Sequence, residues 1–192
     1  MLNEQLKNYN VILASGSPRR QQFLKDLELD FTIQLKEVEE IYPENLKGSE
    51  ITDFLAQLKS DVFQDLKEND LLITSDTIVW MDNKAIGKPK NKEEAIKIFH
   101  ELSGTSHEVI TSICIKTITK TKIINDTTKV YFKNLTNKEI NYYINNFNPY
   151  DKAGGYGIQD WIGFIGVEKI EGNFFNVMGL PIYKLYSELL KF

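Results

Sequence analysis

The hydrophobic and polar positions of this chain change repeatedly between a strand pattern and a helix pattern. Apolar runs at residues 9–14 and 71–81 predict buried strands, the second of which ends at an Asp-Asn turn. The alternation of Phe31, Ile33 and Leu35 predicts a half-buried strand over residues 31–38. Residues 109–119 and 123–132 predict a hairpin. A period close to 3.6 predicts a long helix capped by Ser49, with an apolar face formed by Ile51, Phe54, Leu55, Leu58, Val62 and Leu66.

Capping residues and turns predict the remaining elements. Four further helices each begin with a residue that favours a helix N-terminus, and the last third of the chain also contains a strand pair that turns at residues 172–173. The N-terminal residues of these helices are Ser17, Asn91, Thr136 and Pro181. Crossovers mixed with hairpins predict an α/β fold with a mixed, twisted sheet flanked by helices.

Composition and charge exclude several classes of protein. A chain of 192 residues with 42% hydrophobic residues can form one domain over residues 1–192. A net charge of -4 argues against a nucleic-acid-coating protein, and one cysteine with two histidines excludes an internal disulfide and a zinc site. No apolar run approaches the roughly 20 residues of a membrane span, and the N-terminus is too polar for a signal peptide. We therefore expect a cytoplasmic protein without a membrane partner.

Two adjacent arginines follow the first predicted strand, in the segment LASGSPRR. Ser17 and Pro18 predict a helix start, with the serine as the capping residue, so Arg19 and Arg20 lie in the first turn. The helix dipole makes this end positive, and a cation there is destabilising by about 0.3–1 kcal/mol. An anion opposite the arginines would explain them, as in a phosphate site. The alternative is a solvated first turn with two surface arginines.

Asp76 interrupts the apolar strand of residues 71–81. A carboxylate buried there without a partner would be strongly destabilising, so we expect a basic partner. Lys59 on the long helix and Lys88 in GKPK are the candidates, although each taken singly is typical of a solvated surface charge. Buried acids concentrate at active sites, so we favour a functional carboxylate over a turn residue between two short strands.

The segment YDKAGGYGIQD contains three closely spaced glycines. Gly154, Gly155 and Gly157 permit positive φ angles and close approach of a ligand to the backbone. Gln159 offers one donor and one acceptor in a plane, which suits the edge of a nucleobase. A structural turn before a strand is the alternative interpretation of this loop.

Six segments of the sequence, in order, resemble motifs of the Maf-type nucleoside triphosphate pyrophosphatases. They are LASGSPRR, SDTIV, GKP, LSGTSHEVIT, DKAGGYGIQ and NVMGLP, and together they span nearly the whole chain. The resemblance implies a fold related to the inosine triphosphate pyrophosphatases, with two lobes around a central cleft, and a homodimer. It also implies hydrolysis of a nucleoside triphosphate to the monophosphate and pyrophosphate.

The resemblance further implies roles for individual residues. Asp76 would be the proton acceptor, and Glu39 would be a second acidic residue that binds Mg²⁺ or Mn²⁺ together with Asp76, with the adjacent Glu40 as the other candidate. The residues that would bind the substrate are Ser15, Ser17, Arg19, Arg20, Lys59, Thr77, Lys88 and Gln159.

Substrate preference is also implied by the resemblance. An arginine, a threonine and a glutamine mark the family's subgroup acting on dTTP and UTP, and Arg19, Thr77 and Gln159 match them. Asp160 stands where a glycine commonly follows the glutamine. Two alternatives are a 7-methyl-GTP-type pyrophosphatase with a purine-shaped pocket and a nucleotide-binding regulator of cell division without turnover.

Overall fold

The computed structural model describes residues 1–192 and contains eight α-helices and seven β-strands. The helices are α1 (Leu2–Gln5), α2 (Pro18–Asp26), α3 (Ser49–Asp61), α4 (Lys92–Leu102), α5 (Asn137–Phe147), α6 (Trp161–Gly166), α7 (Phe174–Val177) and α8 (Ile182–Leu189). The strands are β1 (Asn10–Leu13), β2 (Thr32–Ile33), β3 (Asp70–Met81), β4 (Lys84–Ile86), β5 (Ser106–Lys116), β6 (Thr121–Phe132) and β7 (Val167–Glu171). None of the helices has the length and apolar character that a membrane span requires.

The seven strands form one mixed sheet, in the order β2-β1-β3-β5-β6-β7, with β4 paired to β3. Strand β1 runs parallel to both β2 and β3, and Leu13 lies opposite Ile73 in the register of β1 and β3. Strand β4 is antiparallel to β3, and β7 is antiparallel to β6. The mixed sheet with its helices confirms the predicted α/β class.

The chain divides into two compact units. The first comprises residues 1–76, 111–126 and 179–192, and the second comprises residues 77–110 and 127–178. Strand β3 passes from the first unit to the second immediately after Asp76. Fully buried side chains of the first unit include Leu13, Leu24, Ile51, Leu71 and Leu72, and those of the second include Phe99, Leu102, Ile140 and Tyr143. The predicted single domain with two lobes around a cleft stays a prediction.

Several helix boundaries follow the predicted capping chemistry. Asn91 accepts a hydrogen bond from the Glu94 N–H at the start of α4. Thr136 and Glu139 form a complete capping box at the start of α5, in which each side chain accepts from the other residue's backbone N–H. The buried strand ends as predicted, because the turn after β3 has two residues with positive φ, Asp82 and Asn83.

Two predicted elements are wrong, and a third has different ends. Only Thr32–Ile33 of residues 31–38 forms a strand, and both residues are exposed because β2 is the last strand of the sheet and covers no core. Of the strand pair predicted around residues 172–173 only the first strand, β7, forms, since Asn173 accepts from the Asn176 N–H and begins α7 in place of a second strand. The long helix forms, but Gly48 and not Ser49 occupies its N-cap position, and it ends at Asp61, so Val62 and Leu66 lie beyond it.

Candidate active site

Asp76 lies on β3 in a nearly buried position of the first unit. Its side chain is on the same face of the strand as Leu72 and Thr74, because alternate residues of a strand point to the same side. Only 6% of the residue is exposed, and its Oδ1 accepts a hydrogen bond of 2.6 Å from Lys59 Nζ. The basic partner expected for a buried carboxylate is therefore Lys59.

Lys59 connects two carboxylates. Its Nζ lies 2.6 Å from Asp76 Oδ1 and 2.9 Å from Glu40 Oε1. Lys59 is in the last turn of α3, where a cation is stabilised by the helix dipole. The structure places the carboxylate of Glu40, whose side chain is 48% exposed, at this cluster. The side chain of Glu39, the residue first aligned with the family's second acid, is also exposed and makes no ion pair with Lys59.

A buried hydrogen bond joins β3 and α3 close to this ion pair. The Thr74 hydroxyl donates to the Ala56 carbonyl oxygen at 2.6 Å, and both residues are completely buried. Thr74 precedes Asp76 by two residues, and Ala56 precedes Lys59 by three. The bond therefore sets the spacing between the two elements close to the charged atoms.

The N-terminus of α2 differs from the predicted cap. Ser17 occupies the N-cap position and Pro18 the first helical position, but the Ser17 side chain makes no capping hydrogen bond. Instead, the Ser15 hydroxyl accepts from the Ser17 N–H at 3.3 Å, so the turn before the helix is fixed by Ser15. The prediction that the Ser17 hydroxyl caps the helix is therefore wrong, although the predicted helix start is confirmed.

Arg20 ties the start of α2 to the strand that carries Asp76. Its Nη1 donates to the Ser75 carbonyl at 2.8 Å, and its Nε donates to the Gly179 carbonyl at 2.8 Å. Burial lowers the pKa of the guanidinium to about 10, and Arg19 adds to this effect, while the negative charges of Asp76 and Glu40 oppose it. Arg20 remains charged at neutral pH. Two of its five donor groups serve backbone carbonyls, which gives it a positioning role near Asp76.

Three of the predicted site residues belong to the second unit. Thr77 follows Asp76 on β3, Lys88 is exposed after Gly87, and Gln159 is partly buried in the glycine-rich segment. The backbone of this segment is anchored by a 3.0 Å hydrogen bond from the Gly154 N–H to the Gly87 carbonyl. The Gln159 Oε1 atom is buried and has no hydrogen-bond partner within the protein. A buried acceptor of this kind is costly unless a ligand or water satisfies it.

The turn that carries Gln159 is held by α5. Gly157 N–H donates to Tyr143 Oη at 3.2 Å, and Tyr143 Oη–H donates to Asp160 Oδ2 at 2.9 Å. Burial, with the nearby charge of Asp160, raises the pKa of Tyr143 above its usual range, so the phenol stays protonated. Of the three glycines named from the sequence, Gly154 and Gly155 have positive φ angles and Gly157 does not.

Some contributors to the site carry no recognisable sequence signal. The carbonyls of Ser75 and Gly179 bind Arg20 through backbone atoms, and every residue type has such atoms. The roles of Thr74 and Tyr143 depend on contacts between elements far apart in the chain. Among these residues only Gly179 lies in a motif that the sequence offers, the segment NVMGLP.

Comparison with known proteins agrees with the motif pattern. The family model described as Maf-like protein matches residues 10–192. A protein from Flavobacterium johnsoniae named dTTP/UTP pyrophosphatase is 61% identical over 190 residues, covering 98% of each chain. A protein of the same name from Christiangramia forsetii is 58% identical over 190 residues, covering 98% of this chain and 97% of that one.

A solved structure also matches part of the chain. The Staphylococcus aureus Ham1 protein is similar with a TM-score of 0.45 and 14% identity, over 64% of this chain and 71% of that one.

The match of the family model over nearly the whole length, together with the two relatives, shows that this chain belongs to the Maf-like protein family.

Proposed function

We propose that this protein hydrolyses dTTP and UTP to the corresponding monophosphate and pyrophosphate. The observation that carries the proposal is the buried Asp76–Lys59 pair, with Glu40 on the same ammonium group. A buried carboxylate that is paired with Lys59 and lies within the electrostatic reach of Arg20 is what a reaction between water and a phosphoanhydride requires. Relatives with 61% and 58% identity that carry the name dTTP/UTP pyrophosphatase support the choice of substrate.

The chemistry assigned to the first unit is charge stabilisation and orientation of water. Attack of water at the α-phosphorus breaks the bond to the bridging oxygen and releases pyrophosphate. Asp76 accepts a proton from that water or orients it. Lys59 and Arg19 bind phosphate oxygens and offset the negative charge that develops on them. Hydrogen bonds to the Ser75 and Gly179 carbonyls hold Arg20 in place, so the electrostatic field of its positive charge extends to the region around Asp76.

The residues present fit a divalent cation of the Mg²⁺ or Mn²⁺ type. No group of three His, Cys, Asp or Glu side chains forms a protein-only metal site. Mg²⁺ commonly takes one or two carboxylates and completes its shell with substrate phosphates and water, and Asp76 and Glu40 supply two carboxylates on one ammonium group. When bound, the metal would neutralise phosphate charge and make pyrophosphate a better leaving group. In this assignment Glu40 takes the role first given to Glu39.

The base is recognised by Gln159. Thymine and uracil present a carbonyl, an N–H and a second carbonyl along one edge. The buried Oε1 of Gln159 can accept from the N–H, and its Nε2 can donate to a neighbouring carbonyl. Thr77, Lys88 and Arg19 keep the substrate-binding roles implied by the family motifs. The homodimer and the cytoplasmic location stay predictions.

Release of pyrophosphate from a panel of nucleotides tests the proposal. Purified protein with Mg²⁺ should act on dTTP and UTP faster than on ATP, GTP and 7-methyl-GTP, and Asp76→Asn should be inactive although folded. Gln159→Ala should reduce the preference for dTTP and UTP more than it slows turnover. Equal, slow turnover of every nucleotide that is also seen in Asp76→Asn would refute the proposed function. A preference for 7-methyl-GTP would mean that this nucleotide, and not dTTP or UTP, is the substrate.

A further inference from the structure

We propose that Asp160 determines pyrimidine specificity by fixing the orientation of the Gln159 amide, so that Oε1 and not Nε2 faces the base N3 position. The inference rests on the proposed function, because it assumes that Gln159 binds the base. It concerns a residue with no direct contact to substrate, which acts through Gln159.

Polar atoms of both side chains lie close to Gly157. A methyl group added at Gly157 would lie 2.7 Å from Asp160 Oδ2 and 2.7 Å from Gln159 Nε2. Both polar atoms therefore lie over the same face of this glycine. A carboxylate oxygen attracts the N–H₂ end of an amide and repels its carbonyl end. The charge of Asp160 thus favours the orientation in which Nε2 is near the carboxylate and Oε1 is turned away from it.

Asp160 is itself held in place from two directions. Tyr143 Oη–H donates to its Oδ2 at 2.9 Å, and Lys152 Nζ lies 3.8 Å from the same atom. Lys152 also binds Asp151 at 2.8 Å, so its charge is shared between two carboxylates. Asp160 occupies the N-cap position of α6 but makes no side-chain capping bond. Its side chain therefore serves the turn around Gly157 rather than the helix.

The orientation of the amide distinguishes uracil from cytosine. Uracil and thymine carry a hydrogen at N3, whereas cytosine has a lone pair at N3 and an amino group at C4. The buried, unpartnered Oε1 of Gln159 matches the N3–H of uracil or thymine. Rotation of the amide by half a turn would present Nε2 instead, which matches cytosine. A free glutamine could serve both bases, and the Asp160 carboxylate is what removes that freedom.

The ratio of kcat/KM for UTP to kcat/KM for CTP measures this effect directly. Asp160→Asn keeps an acceptor for Tyr143 but removes the charge, and we expect the ratio to fall about tenfold or more. Tyr143→Phe releases Asp160 while preserving the ring in the core, and the ratio should fall by a smaller factor. Tyr142→Phe, the exposed neighbour on α5, is the matched control and should leave the ratio unchanged.

The outcomes separate the inference from the function on which it rests. A wild-type protein that prefers UTP, with folded Asp160→Asn and Tyr143→Phe variants of unchanged UTP-to-CTP ratio, overturns the role of Asp160 alone. If Asp160→Asn does not fold, an unchanged ratio in Tyr143→Phe has the same meaning. A wild-type protein that hydrolyses neither nucleotide overturns the proposed function and the inference together. Equal loss of activity toward both nucleotides in Asp160→Asn shows a structural role and also overturns the inference.

Discussion

Replacement of Thr74 separates the stability of the fold from the alignment of the Asp76–Lys59 pair. The Thr74 hydroxyl donates to the Ala56 carbonyl at 2.6 Å in a completely buried position. Thr74→Val keeps the shape of the side chain and removes only this bond, whereas Thr74→Ser keeps the hydroxyl and removes only a methyl group. The two variants therefore make a matched pair.

Both variants should lose a similar amount of stability. Ala56 lies inside α3, where a carbonyl already accepts the helical bond from the residue four positions later, so Thr74→Val does not leave it without a donor. The expected loss is about 1 kcal/mol for the buried hydrogen bond. Loss of the buried methyl in Thr74→Ser also costs about 1 kcal/mol. For a chain of this length, each change should lower Tm by about 2–4 °C.

Activity should differ between the two variants. Other contacts keep α3 attached in both, including the 2.6 Å contact between Thr52 and Ser112 and the bond from Lys116 Nζ to the Ser60 carbonyl. In Thr74→Val the spacing between α3 and β3 at Ala56 is no longer set by this bond, so Lys59 can shift relative to Asp76, and we expect kcat/KM for UTP to fall about tenfold. Thr74→Ser should stay close to wild type. Equal activity of the two variants at equal Tm would refute the idea that this hydrogen bond aligns Lys59 with Asp76.

Two further predictions concern the second unit. Burial lowers the pKa of His107 to about 4, so the unfolded state binds more protons between pH 6.5 and 4, and stability should decrease by about 3 kcal/mol as the pH falls through this range. Urea unfolding of wild type and His107→Gln should therefore show a difference in the free energy of unfolding that narrows toward pH 4. A difference that stays constant with pH would contradict the lowered pKa of His107. Gly154 has φ of 66° and an added methyl would lie 2.7 Å from Val79 Cγ2, so Gly154→Ala should cost about 1–3 kcal/mol. Gly87→Ala, with open space around the added methyl, is the control and should leave Tm unchanged; equal Tm values for the two variants would refute the steric argument.

Local chemistry made some elements predictable and left others open. The capping box at Thr136 and the Asp82–Asn83 turn depend on residues within a few positions of each other, and both form as predicted. The alternation in residues 31–38 failed because a strand pattern needs a partner surface. Ile33 is 46% exposed, and β2 pairs only with β1. Periodicity cannot show whether a core exists to receive an apolar face.

In the candidate site, too, some residues could be predicted from the sequence and some contacts could not. Asp76 could be selected from the sequence because a charged residue in an apolar strand conflicts with burial, and a conflict of this kind indicates function. Its partner Lys59 was one of two candidates, and the choice between Glu39 and Glu40 depended on the path of an irregular segment. Glu40 meets Lys59 at 2.9 Å. No pattern in one sequence gives that contact, since it is formed by side chains of two separate segments.

Charge balance in the first unit explains why the two arginines stand at an unfavourable helix end. Arg19, Arg20 and Lys59 bring three positive charges, and Asp76 and Glu40 offset two of them. Arg20 is tied to backbone carbonyls, which leaves the first turn of α2 rigid and electropositive without a ligand. A triphosphate brings several negative charges, more than this small excess can neutralise. The protein charges therefore suffice to attract and orient the phosphates, and a divalent cation held by Asp76 and Glu40 would supply the additional positive charge.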